Sequence, residues 1–357
     1  MVTLGADAHK RSHSVVAVDE AGRQLGAHTV AATSSGHLDV LRWAQRWPER
    51  RWAVEDCRHV TRGLEKDLLG VGEVVVRVPP HMAAEGRRSM RERGKSDAID
   101  ALAVARAALR EANLPEAHLE EHSREVRLLL DHREDLVGER TRMQNRLQWL
   151  LHELEPGFQV ASGALSRRPA IKRVEALLNG RSGLVAELAR ELTARTMQLN
   201  LRVDELERQL ATMMPTLAPS LLALPGCGVL TAAKLVGETA DACRFRSRAA
   251  FAMHNGTAPI PASSGNQQRH RLNRGGNRQI NAALHRIAVS QVRRPGRSHD
   301  YFLRRLAGGN TKREAYRALR RRLSDEVFRL MLIDQRIDPV QPHPRSGQQR
   351  QECCGLT

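Results

Sequence analysis

Short apolar runs separated by polar turns begin the chain. Residues 2–8, 14–18 and 24–30 are each long enough to form one strand. The intervening residues 9–12 and 19–22 are mostly polar or glycine, which is typical of turns. Three strands joined by such short turns predict an antiparallel meander.

The pattern then alternates between helical and strand periods. The pattern of residues 35–47 predicts a helix that has Ser35 as its N-cap and that ends before Pro48. A meander followed by alternating helices and strands predicts an α/β sheet of the ribonuclease H type over residues 1–115. The other predicted elements are strands at 52–55 and 73–78 and helices at 59–69 and 96–110, the last capped by Ser96.

Residues 116–218 change to a longer period. Apolar residues recur there in two series whose spacings add up to seven residues, as in a heptad repeat. Arg133 and Arg140 occupy two positions of the first series. This pattern predicts an antiparallel coiled-coil hairpin of two long helices, and a plain helical bundle is the alternative. The first series is Val126, Leu129, Leu136, Met143, Leu147, Leu150 and Leu154, and the second is Leu199, Val203, Leu206, Leu210, Met213 and Leu217.

A glycine-punctuated helical domain is predicted over residues 219–335. Residues 224–235 resemble a helix-hairpin-helix element, in which backbone amides near Gly226 and Gly228 would bind a phosphate without reading sequence. An ordinary tight turn between helices is the alternative. Residues 336–357, rich in Pro, Gln and Arg, predict a disordered tail.

The distribution of charge points to a polyanionic partner. The chain has 57 Lys+Arg against 40 Asp+Glu, a formal net charge of +17. Residues 269–322 alone contain 16 basic residues, 15 of them arginine, and 2 acidic residues. Arginine favours bidentate phosphate contacts, although a solvated surface is the alternative. Because aromatic residues make up only 3%, we expect backbone contacts with nucleic acid rather than base stacking.

Composition also excludes several classes of protein. No run of about 18 apolar residues is present, so we expect no membrane partner. Five cysteines, an odd number, do not form a disulfide framework, and no zinc-finger spacing occurs. The N-terminus lacks the pattern of a signal peptide. We therefore expect a cytoplasmic protein.

Four carboxylates have the placement of a metal site. Asp7 and Glu55 each end a predicted strand, and Asp97 and Asp100 share one face at the start of a predicted helix. If they converge, they repel one another unless divalent cations lie between them, and Mg²⁺ prefers such oxygen ligands. Two such ions can stabilise the attacking and leaving oxygens of a phosphoryl displacement. Separately, each acid has a structural explanation, such as a favourable charge in the first turn of a helix.

A serine-containing loop precedes a run of arginines. Residues 256–265 are rich in Pro, Gly and Ser, which is typical of a loop, and include Ser263 and Ser264. A serine hydroxyl needs activation before it can attack a phosphodiester, and an ordinary turn serine is the alternative. The arginines that could neutralise the phosphate are Arg269, Arg271, Arg274 and Arg278.

These motifs, in this order, resemble one family over residues 3–330. The segments that carry the resemblance are 5–10 (Gly-Ala-Asp-Ala-His-Lys), 54–56 (Val-Glu-Asp), 94–101 (Gly-Lys-Ser-Asp-Ala-Ile-Asp-Ala), 224–228 (Leu-Pro-Gly-Cys-Gly) and 264–278, from Ser-Gly to Asn-Arg-Gly-Gly-Asn-Arg. The family is that of the insertion-sequence one-ten transposases, also called Asp-Glu-Asp-Asp transposases or bridge-RNA-guided recombinases.

The resemblance implies a mechanism and partners. It implies a RuvC-like domain in which Asp7, Glu55, Asp97 and Asp100 bind Mg²⁺, with Mn²⁺ as an alternative, and a serine at Ser264 that forms a 5′-phosphoserine with DNA. Ser263 leaves that assignment open by one residue. The family further implies dimers or tetramers assembled on a guide (bridge) RNA that pairs with donor and target DNA. It also implies that the protein is located at the bacterial nucleoid.

Two other functions remain open from the sequence. A metal-dependent nuclease or Holliday-junction resolvase would use the same four acids with water as the nucleophile. A nucleic-acid-binding scaffold without chemistry is a third possibility, against which the intact set of acids argues.

Overall fold

A computed structural model describes residues 1–56, 58–88, 96–111, 114, 116–117, 121–161, 163–262, 270–271, 273 and 275–337. The chain divides into two compact units, Met1–Glu120 and Glu121–Thr357. Ser263, Ser264, Arg269, Arg274 and residues 338–357 lie outside the described residues. The predicted boundaries at residues 115, 218 and 335 stay predictions.

The first unit contains a mixed five-stranded sheet. Its strand order is β3-β2-β1-β4-β5, with β1, β2 and β3 antiparallel and with β4 and β5 parallel to β1. This confirms the predicted meander and the α/β sheet of the ribonuclease H type. The strands are β1 (Val2–Ala8), β2 (Ser12–Val18), β3 (Gln24–Ala31), β4 (Arg50–Glu55) and β5 (Val75–Val78).

Four helices accompany this sheet: α1 (Ser34–Ala44), α2 (Arg58–Gly70), α3 (Pro80–Arg88) and α4 (Asp97–Arg110). Ser96 caps α4 as predicted, because its side chain accepts a hydrogen bond from the Ile99 amide. The predicted cap of α1 was wrong, since Thr33 rather than Ser35 accepts from the Gly36 amide. The sequence did not predict α3.

The two faces of the sheet have different neighbours. Alternation along β1 and β4 places Leu4 and Trp52 in a core that also contains side chains of α1 and α2. The opposite face packs against α4. A Cβ added at Gly5 would lie 2.3 Å from the carbonyl oxygen of Ala101, so a glycine is needed for this close approach. Small residues on both elements therefore let α4 lie directly on β1.

The second unit is mainly helical. Its small sheet pairs β6 (Ile260–Pro261) with β7 (His270–Arg271). None of the helices in the described part of the chain has an apolar stretch that would cross a lipid bilayer. The helices are α5 (Glu121–Leu154), α6 (Arg168–Leu178), α7 (Leu184–Leu217), α8 (Pro219–Ala223), α9 (Val229–Thr239), α10 (Arg248–His254), α11 (Arg278–Val292), α12 (Arg297–Ala307) and α13 (Lys312–Ile337).

The long helices α5 and α7, of 34 residues each, pack antiparallel. Arg133 Nε donates to Glu207 Oε1 at 2.9 Å, and Arg140 Nη1 donates to Asn200 Oδ1 at 3.2 Å. These partners explain how two arginines fit in the heptad series. In α7 the predicted residues Leu199, Val203, Leu206 and Leu210 are buried. Coiled-coil packing itself stays a prediction.

The predicted α5 series is confirmed only in part. Val126 and Leu147 are buried as predicted, and Leu129 and Leu150 are partly buried against the cores, but Leu130 and Leu151 are more deeply buried than those two. Both assignments obey a heptad spacing, so the sequence alone did not distinguish two neighbouring faces of the helix. The start of α5 and the end of α7 contribute to the main core of this unit, which also includes Phe251, Leu284 and Val327.

Candidate active site

Asp7 occupies the end of β1 on the face covered by α4. It shares that face with Gly5, two residues earlier, because side chains alternate along a strand. The Asp7 side chain is almost fully buried, and its Oδ2 atom makes no hydrogen bond of good geometry. A buried carboxylate oxygen of this kind is costly unless a positive group or a proton compensates it.

The first turn of α4 brings two more acids toward Asp7. Asp97 and Asp100 both lie in this turn, directly after the Ser96 cap. The close contact of α4 with Gly5 fixes the start of the helix near the end of β1. Both acids are near enough to raise the pKa of Asp7. The structure thus brings together three of the four predicted acids.

His9 connects two of these carboxylates. Its Nε2 atom lies 3.1 Å from Asp7 Oδ2 and 3.3 Å from Asp97 Oδ1. The ligand atoms of Asp7, His9 and Asp97 all lie within 4.8 Å of one another, which is a geometry that can hold a metal ion. Sequence analysis assigned no role to His9. Continued alternation beyond β1, which puts residues 5, 7 and 9 on one side, was the signal for it.

Glu55 reaches the same edge of the sheet through strand register. Ala6 pairs with Val54 in the parallel β1–β4 ladder, so Asp7 and Glu55 are the next residues on adjacent strands. Neighbouring strands lie about 4.8 Å apart. Ala53 packs against Val104 of α4, so Glu55, two residues later, lies on the α4 face. Glu55 therefore occupies the position expected of a fourth acid.

The electrostatics of this cluster favour a bound cation. Burial raises the pKa of Asp7 above its ordinary value, His9 lowers it, and Asp100 and Asp97 raise it further. A divalent ion among these oxygens would supply the missing positive charge, and carboxylates are the ligands that Mg²⁺ prefers. The donor set and the buried Oδ2 atom of Asp7 therefore fit a hard divalent metal.

An open depression adjoins the acids. It is lined by Ala8, His9, Lys10, Arg11 and Val60. His9, which is half-exposed, thus lies between the buried Asp7 and solvent. The cationic side chains at the rim would attract a phosphate group.

In the second unit, two glycines mark the predicted phosphate-binding turn. Gly226 adopts a positive φ of 82°, and a Cβ there would lie 2.8 Å from Ser290 Cβ, so the turn packs closely on α11. Gly228 precedes α9 and has open space around it. This space leaves the helix start accessible to a ligand, but phosphate binding here stays a prediction.

The described ends of the serine-containing loop are held together. A Cβ at Gly276 would lie 2.2 Å from the Gly256 amide nitrogen, so the two backbones touch. The Asn277 amide donates to the His254 carbonyl at 2.6 Å, and its side chain caps α11. Two of the predicted phosphate-binding arginines, Arg271 in β7 and Arg278 at the start of α11, are exposed. Roles were also predicted for Arg269, Arg274 and Ser264, but these residues lie outside the described ranges.

Two family models match the chain. A transposase model, the Asp-Glu-Asp-Asp transposase of IS110, matches residues 4–156, and the model of the transposase IS116/IS110/IS902 family matches residues 218–303. Together the matches cover about two thirds of the chain.

Curated proteins show the same similarity. The 44.8 kDa protein of insertion element IS116 from Streptomyces clavuligerus is 28% identical, over 94% of this chain and 96% of that protein. The 43.6 kDa protein of insertion element IS110 from Streptomyces coelicolor is 27% identical, over 66% of this chain and 70% of that protein. A probable family 20 transposase of Pseudomonas aeruginosa is 26% identical, over 74% of this chain and 76% of that protein.

Among solved structures, Thermus thermophilus RuvC aligns with 33% of this chain. One such structure is RuvC in complex with a Holliday junction substrate, with 16% identity, a TM-score of 0.27 and 99% of that chain covered.

Proposed function

Because this chain belongs to the IS116/IS110/IS902 family of transposases and is an enzyme that acts on DNA, we propose that it cuts DNA and rejoins it through a covalent phosphoserine. In this reaction Ser264 Oγ attacks a phosphodiester phosphorus. The new Oγ–P bond forms, the bond from phosphorus to the 3′ oxygen breaks, the serine proton departs, and the 3′ oxygen takes up a proton. Attack by the freed 3′ hydroxyl of another strand reverses these changes and joins the DNA.

The observation that carries this proposal is the convergence of acids from distant parts of the sequence. Asp97 and Asp100 are near enough to the buried carboxylate of Asp7 to raise its pKa, and the β1–β4 register, which pairs Ala6 with Val54, supports a position for Glu55 on the adjacent strand. When bound, a divalent ion such as Mg²⁺, or alternatively Mn²⁺, would stabilise the negative charge on the attacking and leaving oxygens. The protein would hold that ion with these four carboxylates, and His9 would orient two of them.

The partners proposed are donor and target DNA, a guide RNA, and further copies of this chain as a dimer or tetramer. The basic residues of 269–322 and the cations near His9 support contact with phosphate backbones. If RNA pairing reads the DNA sequence, the protein needs few base contacts, which suits a chain poor in aromatic residues. Because Leu206 and Leu210 are buried within a single chain, coiled-coil assembly would need other, exposed positions of α5 and α7.

A suicide DNA substrate tests the covalent step. After the cut, labelled DNA should stay on the denatured wild-type protein and on Ser263→Ala, which is the matched control. Ser264→Ala should lose the adduct completely. An adduct that survives Ser264→Ala but disappears in Ser263→Ala would reassign the nucleophile to Ser263.

Hydrolysis by a nuclease or resolvase is the alternative, and family membership makes it the weaker one. Water as nucleophile predicts that Ser264→Ala and Ser263→Ala both cut DNA at the wild-type rate, without any covalent adduct. That result would reject the serine mechanism while leaving the metal site intact.

A further inference from the structure

Arg320 is a partly buried cation of α13 that has no acidic partner among the described residues. Its Nη1 atom donates to the side-chain oxygen of Asn281, a neutral group. Other arginines of the same helix do have acidic partners, since Arg321 pairs with Asp325 and Arg329 pairs with Glu326. Within the described ranges, no carboxylate forms an ion pair with Arg320. Its charge is therefore not neutralised by an acid in the part of the chain that the structure describes.

Other basic side chains lie near Arg320. Burial lowers the pKa of Arg320, and the nearby charge of Arg317 lowers it further. Burial also lowers the pKa of His285, and Arg320 itself is the second cause. The Nε atom of Arg320 is buried without a hydrogen-bond partner. A partly desolvated cation in such a place is stabilised when an anion binds beside it.

Hydrogen bonds fix Arg320 at the base of the serine-containing loop. Asn281, which accepts from Arg320, donates through Nδ2 to the Asn255 carbonyl at 2.9 Å. Asn255 is fully buried and donates to Ser324 Oγ at 2.8 Å, one helical turn beyond Arg320. The loop leaves the helical core at Gly256, directly after Asn255, and returns to it at Gly276. The guanidinium is thus anchored close to where the loop starts and ends.

We propose that Arg320, oriented by Asn281, forms an anion-binding site for a phosphodiester group of a bound nucleic acid strand. A guanidinium presents several N–H donors in a fixed plane, which suits phosphate oxygens, and Arg317 adds positive charge nearby. That the phosphodiester belongs to the strand attacked by Ser264 rests on the function proposed above. The proposal that an anion binds at Arg320 does not depend on that function.

Inorganic phosphate tests the anion site without DNA. At matched ionic strength, phosphate should raise the Tm of the full-length protein more than chloride does, because a ligand that binds only the folded state stabilises it. Arg329→Gln, which removes one exposed charge from the same helix, should keep this increment. Arg320→Gln should reduce it. An equal increment in Arg320→Gln and Arg329→Gln would overturn the proposal.

A second variant guards against misfolding of the first. Asn281→Asp places a carboxylate beside Arg320 and so supplies the missing counter-ion, while Arg320 itself is kept. The phosphate increment should fall in this variant also. If phosphate raises the Tm of Asn281→Asp by as much as it raises the Tm of the wild type, the proposal is overturned, even when Arg320→Gln does not fold.

Binding to matched single strands of DNA and RNA identifies the source of the phosphodiester. Arg320→Gln should bind one of them roughly tenfold more weakly than Arg329→Gln does, as expected for the loss of a charge-assisted contact. A loss confined to DNA assigns the group to the DNA, and a loss confined to RNA assigns it to the guide. No loss on either strand contradicts the proposal. Ser264→Ala should keep the phosphate increment, so failure of the serine mechanism is detected separately.

Discussion

Asp7 Oδ2 and Asp97 Oδ1 both lie close to one imidazole nitrogen, Nε2 of His9, at 3.1 and 3.3 Å. One acid ends a strand and the other begins a helix, so the histidine links the two elements whose contact builds the site. Because His9 is half-exposed and Asp7 is buried, the imidazole lies between Asp7 and solvent.

Replacing His9 tests this link. His9→Ala should weaken the divalent metal affinity and slow DNA cutting by about 10–100-fold, since partners that orient metal-binding carboxylates typically contribute this much. Isothermal titration with Mn²⁺ and a cutting assay measure the two effects. His28→Ala is the control, because His28 pairs with Asp39 away from the acids. Equal metal affinity in both variants would remove His9 from the site.

Neutralising Asp7 should have opposite effects on stability and activity. Its pKa is raised chiefly by burial, so the ionised form destabilises the metal-free fold. This cost is absent below the ordinary pKa of Asp, near 3.9, and is fully present once the pH exceeds the raised value. Asp7→Asn in EDTA at neutral pH should therefore raise the Tm by a few degrees while abolishing cutting. A lower Tm for Asp7→Asn would contradict this account.

Gly5 should be intolerant of any side chain. Its Cβ would lie 2.3 Å from the Ala101 carbonyl oxygen and 2.4 Å from the Ala105 nitrogen, so Gly5→Ala must move α4. We expect a loss of about 1–3 kcal/mol of stability, as in other overpacked cores, together with reduced cutting. Gly70→Ala is the matched control, because nothing lies within 4 Å of that position. Urea unfolding of both variants measures the difference.

The buried His13 should make the fold sensitive to acid. Burial first, and then His37 and His9, lower the pKa of His13 to about 4. An unfolded histidine titrates near 6.5, so the unfolded state binds more protons between these two values. Stability should therefore fall by a few kcal/mol as the pH decreases through this window.

His13→Phe separates this effect from general acid denaturation. The variant replaces a ring that stacks on His37 with one that cannot be protonated. The urea midpoint of the variant should change less between about pH 7 and pH 5 than that of the wild type or of His28→Gln. Parallel pH profiles for all three proteins would show that another group dominates.

Much of the first unit followed from periodicity. Short apolar runs bounded by turn residues predicted all five strands, because β1, β2 and β5 are buried along most of their length. The missed helix α3 starts at Pro80, where two prolines indicate the end of a strand. Proline is also well tolerated at the start of a helix, so the same residues were compatible with both outcomes.

The site was less accessible to sequence reasoning. Asp7 and Asp97 were identified because strand ends and first helical turns are simple positions to locate. His9 and Arg320 act through tertiary contacts; alternation beyond β1 hints at the side on which His9 lies, whereas the neighbours of Arg320 in the sequence give no sign of its partner. For Arg320, what matters is that none of the described acids pairs with it, and only the fold reveals that.

The two arginines between α5 and α7 have a consequence for how the helical pair can move. If one helix slid along the other, Arg133 and Arg140 would lose their hydrogen bonds to Glu207 and Asn200. The loss of these bonds therefore opposes sliding in either direction. The two helices, each about 50 Å long, would therefore keep a fixed register, so that a displacement at one end of the pair moves the other end by the same amount.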